Sequence, residues 1–445
     1  MKKIMALILV FALAATMCAC DGLEKLEQVE LPPLPTVEPS QEPETTPEPE
    51  ESPEPSPEPA ELGNRVIVSI KNNTEIHNAP DNEAQRILTF SYDTPQVHIE
   101  GNDAAAAVIN DHIALLDELY YTGTGEGGGV NAMLEMALDN YSYFVDTGAE
   151  IGLEFSSDRT VKISRADSSV ISLVFTTMTY TGGAHGNYFD KGYVYDAQTG
   201  ELLTLDKLTS DFDAFSGFVQ EYMLTLAKED ETYASLELIE DLPSALSALL
   251  REGSWYFDEN GLVLFSDVYE LASYAEGIIR FTIPYTELEN VIDEKWLPDE
   301  RQGGDGGFEV SLQSDVPSGS VEIIDKVTAD SEGVELCLKA VGTVYDVSIS
   351  SVEYADYSHK FFETASHWAC SYMNDCAIQL VTLIPEGMPD LMISYTTADG
   401  LRHHSLISQS GVDGSISLAD AESVEAIGLA KNKGSTATLC CLFQP

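Results

Sequence analysis

Residues 179–187 read Thr-Tyr-Thr-Gly-Gly-Ala-His-Gly-Asn, and His185 is the group in this stretch able to do chemistry near neutral pH. An imidazole donates, accepts or ligates a metal. Gly182, Gly183 and Gly186 permit a left-handed backbone or a close chain approach. Tyr180 ends the preceding β-branched run, and Asn187 is a residue that hydrogen-bonds turns. A catalytic histidine needs a serine or cysteine nucleophile within reach and a carboxylate to orient it. Asp190 is near in sequence, but no nucleophile is identifiable. A zinc site needs further ligands, and His77, His98 and His112 are scattered and unpaired. No metal or cofactor is therefore expected. The first reading is a glycine-packed turn whose histidine bonds backbone. The second is a binding surface formed by Tyr180, Gly182, Gly183, His185, Gly186 and Asn187. A catalytic or metal role comes last.

Other residues invite similar questions. Trp255, Tyr256, Phe257, Tyr269 and Tyr274 could stack on sugar rings, but core and cross-strand packing is the first reading. His403 and His404 follow a turn and read as an exposed hairpin end rather than a metal site. Carboxylates are so abundant that any paired-acid glycosidase assignment is unselective. Beyond Cys18 and Cys20 the cysteines are Cys337, Cys370, Cys376, Cys440 and Cys441. Five is an odd number in a long chain, so no disulfide framework follows, although Cys370 and Cys376 could close a short loop.

The elements that must position these residues begin near Arg65. Alternating Val66, Val68 and Ile70 mark a half-buried strand, and "RILTFSY" and "QVHIE" continue a sheet. Residues 101–121 read as a helix capped by Asn102 or Asp103, with a stripe of Val108, Leu115, Leu116 and Leu119. A second helix carries Val130, Met133, Leu134, Ala137, Tyr141 and Phe144. The Gly127–Gly129 run before it lacks the Lys-Ser/Thr ending of a phosphate loop and follows a helix, not a strand. Strands fill 150–180, and Asp196 to Gly200 signals a hairpin turn. An amphipathic helix over 212–228 is capped by Ser210 or Asp211 and carries Phe212, Phe215, Val219, Tyr222 and Leu226. Residues 242–251 form a further helix. "WYFDENGLVLFSD" and "GIIRFTIPY" are strands. The glycine run at 301–307 is a break, after which short strands and turns suggest a β-sandwich. The expected fold class is α+β: an antiparallel sheet packed with helices over 65–295, then an all-β sandwich-like domain over 305–445.

The N-terminus reads as an export leader. Lys2 and Lys3 precede an apolar stretch, Ile4 to Met17, too short to span a bilayer. Small residues before a cysteine resemble a lipobox, with Cys20 the expected lipidation site and Cys18 the runner-up. Residues 1–19 are then a lipoprotein signal peptide, and the chain is anchored to the membrane by lipid at its extracellular face. Residues 20–64 form an acidic Pro/Glu-rich stalk. At about 3.1 Å per residue, about thirty polyproline-type residues reach on the order of 90 Å. With 75 acidic and 22 basic residues, the 445-residue chain carries a formal net charge of -53. That disfavours nucleic acid and anionic surfaces and attracts basic partners.

"TYTGGAHGNYFDKGYVYDAQTGELLTL" resembles a PdaC/RsiV-like extracellular module, found in lysozyme-sensing anti-sigma factors and in the N-terminal region of a peptidoglycan deacetylase. "WYFDENGLVLFSDVYELASYAEGIIRFTIPY" resembles the second half of the same module. The halves are expected at 65–180 and 181–298. Only Met1 to Lys3 precede the leader, so the cytoplasmic segment of the anti-sigma members is not expected. The Asp and paired-His metal pattern of a deacetylase domain is absent too. The resemblance implies an extracellular binding module without either effector. Its expected partner is a cell-wall glycan or a basic wall-active protein such as lysozyme, and its role is binding rather than catalysis. The alternative is a peptidoglycan- or glycan-modifying hydrolase using His185.

Overall fold

A computed structural model describes residues 63–123, 129–148, 154–298, 301, 306–312, 322–324, 334–355, 360–382, 391–410 and 415–420. The leader, Cys20, the acidic stretch, Cys440 and Cys441 lie outside the described residues. Among the described residues no helix is long and apolar enough to cross a membrane.

The architecture is α+β. The first strands, β1 (Val66–Ala79) and β2 (Asn82–Ile99), pair antiparallel along nearly their whole length. Next come α1 (Asp103–Thr122) and α2 (Gly129–Thr147). The chain returns as β3 (Phe155–Ala166), parallel to β2, and then as β4 (Val170–Tyr180) and β5 (Asn187–Asp196), both antiparallel. After α3 (Phe212–Glu229), the single turn α4 (Glu231–Ala234) and α5 (Leu242–Ala248), a small antiparallel sheet forms. It consists of β6 (Trp255–Phe257), β7 (Gly261–Phe265) and β8 (Arg280–Pro284), and the single turn α6 (Tyr285–Leu288) follows.

Helix ends and faces follow local chemistry. Asn102 caps α1 by accepting from the Ala105 amide, and Gly123, at φ 78°, closes it. Of the expected stripe on α1, Leu116 packs against the core, but the fully buried line runs one position away from Val108 and Leu119. Ala105, Ala106, Ile109 and Ile113 are buried, while Val108 and Leu115 are about half exposed. The small alanines let the helix lie close to the sheet, so the longer side chains one residue away turn outward. Asn110 fixes that approach by bonding both backbone groups of Val97, at 2.9 Å to the amide and 2.8 Å to the carbonyl. On α2 the expected Val130, Met133, Ala137 and Tyr141 are all buried. Asp211 caps α3, whose buried line is Phe215, Val219, Met223 and Ala227.

The C-terminal strands make two sheets. One holds β9 (Gly307–Leu312), β10 (Glu322–Ile324), β11 (Val334–Val341) and β14 (Ala377–Thr382). The other holds β12 (Thr343–Ala355), β13 (Lys360–Asn374), β15 (Leu391–Thr396), β16 (Arg402–Gln409) and β17 (Ile416–Asp420). Leu336, Leu338, Ile378 and Leu380 pack against Val347, Ile349, Trp368 and Ile393, which is the core of a sandwich. The second of these sheets does not stand alone. β13 pairs with β1 through Ile67↔Cys370, Val68↔Ala369 and Ser69↔Trp368, giving one ten-stranded sheet in the order β17-β16-β15-β12-β13-β1-β2-β3-β4-β5.

Where β2 parts from β3, side chains replace the missing strand. Asp93 accepts from the Val161 amide at 3.0 Å and from Asn72 at 3.1 Å, and Ser366 accepts from the Ile163 amide at 3.2 Å. Burial pushes the Asp93 carboxyl up to about 6, against the pull of those hydrogen bonds. The native state thus holds this proton more tightly than the unfolded chain does, whose aspartates titrate near 4. The associated stabilisation is complete below pH of about 4 and is lost as the pH rises through about 6. Asp93→Ala, which strands the Val161 amide, is expected to cost about 1–3 kcal/mol in denaturant unfolding. In an unfolding series across that pH window, wild type should lose stability relative to Asp93→Asn. Parallel profiles would contradict the assignment.

Candidate functional site

The hairpin from β4 to β5 presents residues 181–186 at its tip, with Thr179 opposite Asn187 as the last paired rung. Gly182 and Gly183 sit at φ 94° and 99°, backbone that a side chain would strain. Thr181 through His185 are exposed, as is Asn187. The Tyr180 hydroxyl donates to the Gly183 carbonyl at 3.1 Å. His185 Nδ1 donates to the Gly186 carbonyl at 2.9 Å, so the backbone-bonded turn is present. The same carbonyl also accepts from the Tyr274 hydroxyl at 2.6 Å.

That second bond joins the hairpin to a distant segment. Tyr274 lies on the loop from Ser266 to Gly277, between β7 and β8. The His185 ring stacks on the Tyr274 ring with centroids 4.1 Å apart and planes at 25°. Tyr188 meets Tyr274 edge-on at 5.6 Å, and Tyr269 lies 5.5 Å away. Tyr269 adopts φ 67° and is 62% exposed. The loop is held at its base by Ser266, which accepts from the Ile279 amide through its hydroxyl and donates its own amide to the Ile279 carbonyl. Midway, Glu270 accepts from Arg251 and from the Asp267 amide. The result is an aromatic shelf in which His185 and Tyr269 are exposed and Tyr274 and Tyr188 are half-buried.

Near Tyr188, the buried Asp190 pairs with the half-buried Arg280. Asp190 accepts from Thr176 at 2.6 Å and from Arg280 Nη2. Burial pushes the Tyr188 hydroxyl up to about 12, so it stays protonated. Asp190 is thus committed to Arg280 and Thr176 and does not orient His185. The geometry offers ring faces and hydrogen-bonding edges. It does not offer a nucleophile with a base and an orienting acid.

The sequence readings divide accordingly. Trp255, Tyr256 and Phe257 are core, as first read, whereas Tyr269 is exposed and Tyr274 is half-buried on the same loop. The signal for that split was present: the first three fall in a continuous apolar strand, and the other two fall in a polar loop. His403 and His404 follow a turn, but they are not an exposed end. His403 stacks on Tyr395 at 5.0 Å, and His404 Nδ1 lies 2.8 Å from the Ser394 hydroxyl across β15 and β16. Burial pushes His404 down to about 4, with Arg402 adding to the effect. Cys337, Cys370 and Cys376 are free thiols, so the Cys370–Cys376 loop is not closed. Cys370 instead accepts from Arg65 Nε at 3.2 Å. Among the described residues no three His, Cys, Asp or Glu side chains gather as a metal site.

Comparison with known proteins bears on this geometry. Residues 82–188 match the family model described as deacetylase PdaC. Residues 203–286 match a family described as a protein of unknown function, DUF3298. Taken together, the two matched segments are similar to a PdaC/RsiV-like module. His185 and Tyr188 close the first matched segment, while Tyr269 and Tyr274 lie within the second, so the shelf forms where the two halves meet. Two solved DUF3298 proteins are similar in structure. One, from Bacteroides fragilis, is 16% identical over 53% of this chain and 96% of its own, with a TM-score of 0.40. The other, from Pseudomonas aeruginosa, is 17% identical over 51% and 95%, with a TM-score of 0.34. No curated protein matches the chain.

The doubly accepting Gly186 carbonyl sets a direct test. Tyr274→Phe removes one bond and keeps the ring stack, so a loss of about 1 kcal/mol is expected. Tyr274→Ala removes both. Hydrogen exchange at residues 181–187 should quicken modestly in the first variant and strongly in the second. Equal exchange in all three proteins would mean that the hairpin tip does not depend on Tyr274.

Proposed function

We propose that this protein is a cell-surface lipoprotein whose module binds a basic, wall-active protein such as lysozyme, with the His185–Tyr274 shelf as the contact surface. The observation that carries this reading is the partly exposed aromatic cluster formed by residues of both matched segments, with His185 and Tyr269 outermost. Tyrosine rings with fixed orientation give large contact area at small entropic cost, which is why such residues anchor interfaces. The net charge of -53 supports a basic partner and fast, salt-sensitive association. A lipid on Cys20 and an extended acidic stalk would carry the module out to the wall. The hydrolase reading has less support, because Asp190 is engaged by Arg280 and His185 Nδ1 by backbone.

Three measurements test the proposal. Titrating the purified chain with lysozyme at low and physiological salt should give saturable binding, weakened at least tenfold by Tyr269→Ala combined with Tyr274→Ala. Binding that vanishes at physiological ionic strength, or that ignores those substitutions, would sink it. An assay for acetate or reducing ends released from purified wall should show no activity in wild type or in His185→Ala. For the anchor, Cys20→Ala expressed in a bacterial host should abolish labelling by a radioactive fatty acid and shift the protein from the membrane to the soluble fraction. Retained label would rule out Cys20 as the lipidated residue.

A further inference from the structure

The loop that carries Tyr269 to the shelf also holds, through Glu270, an arginine that lines a neighbouring groove. A groove of about 250 Å³ opens between the segment before α3 and the end of α5. Its apolar walls are Leu205, Leu250 and Phe212. Leu205 is buried, whereas Phe212 is more than a third exposed and stacks on the buried Phe215. A single water takes about 30 Å³, so the space suits a side chain.

The polar lining is one-sided. Asp206 and Glu252 are exposed at the rim, and among the described residues neither makes a hydrogen bond or ion pair. Arg251, the cation in the lining, is already engaged. Its Nη2 donates to Glu270 at 2.9 Å and lies 3.5 Å from Asp267. The groove therefore offers apolar walls and two unneutralised carboxylates. A long cationic side chain matches this, because its methylene stem covers apolar surface while its charged head reaches an acceptor. Anions are disfavoured by the same two carboxylates. Glu270, which holds Arg251 in place, is the residue next to Tyr269.

We propose that this groove receives a lysine or arginine side chain of the protein partner seated on the shelf. The proposal rests on the shelf reading above and adds a specificity subsite to it. A partner with a basic residue beside its contact with Tyr269 would be selected over one of equal net charge arranged differently.

The test uses the full chain with hexalysine and with lysozyme as probes. Asp206→Asn with Glu252→Gln removes the rim charges. Glu135→Gln with Asp139→Asn, on the exposed side of α2, removes the same charge elsewhere. Groove substitution should weaken hexalysine binding at least tenfold and lysozyme binding by a similar factor. The α2 substitution should change either by less than twofold. Both pairs alter exposed carboxylates, and unchanged melting temperatures would confirm intact folds. Equal losses from the two pairs would reduce the effect to bulk charge and overturn the proposal. So would a groove that takes glucosamine oligomers and ignores hexalysine. Groove-dependent hexalysine binding with no lysozyme binding would uphold the groove and reject lysozyme as the shelf's partner. Shelf-dependent lysozyme binding indifferent to Asp206 and Glu252 would reject the groove alone.

Discussion

Much of this molecule depends on how closely the small sheet approaches β5. The Gly192 amide donates to the Gly253 carbonyl at 2.9 Å, and a Cβ at position 192 would lie 1.9 Å from the Trp255 carbonyl oxygen. Only glycine allows that contact without displacing β6. The Asp190–Arg280 pair, two residues along β5, ties the same strand to β8. Between them these contacts fix the loop from Ser266 to Gly277 against the hairpin tip. The stacking of His185 on Tyr274 is therefore a consequence of how β5 packs against the small sheet, not a local property of the loop.

A second constraint is charge inside an acidic protein. Arg159 is buried on β3, with its guanidinium 4.6 Å from the Tyr120 ring centroid and 5.1 Å from that of Phe175. It donates to the Leu116 carbonyl at 3.1 Å and pairs with Asp117. Arg165, also buried, donates to Asp167, to the Trp296 carbonyl at 2.7 Å and to the Tyr285 hydroxyl at 3.0 Å. Each cation fastens helices or loops onto the sheet. Removing one would leave a buried carboxylate without its counter-charge, which costs more than the pair itself contributes. The few basic residues are thus partly consumed as internal fasteners, which leaves the outer surface more acidic still.

The sequence disclosed the elements better than their joins. Periodicity located α2 with its buried residues and α3 with Phe215 and Val219 but not Met223 and Ala227, and turn residues marked the hairpins, because those signals are local. The stripe on α1 was displaced because alanine, which carries little hydrophobic weight, decided how near the helix could come. The β1–β13 pairing was invisible because it links residues about 300 apart, and no local pattern encodes register between such strands. At the site, the glycines and His185 stood out by type. Tyr269 and Tyr274 were noticed only as members of an aromatic group, since what separates a surface ring from a core ring here is the loop fixed by Ser266 and Glu270. The turn reading of His185 and the surface reading of the same residue proved compatible: Nδ1 serves the turn while the ring lies on the outside.

These features divide recognition between two ranges. Net charge acts over a Debye length, about 8 Å at physiological ionic strength, and so governs encounter more than fit. Ring contact at the shelf acts only on touching, and its geometry is fixed by the shared Gly186 carbonyl and by ion pairs internal to the fold. A partner drawn in by charge alone would bind diffusely over the whole acidic surface. One that also fills the shelf would be held in a single orientation, because His185 and Tyr274 are locked to the same carbonyl. On the binding role proposed above, selectivity would belong to the seam between the two halves of the module, and the acidic surface would supply rate.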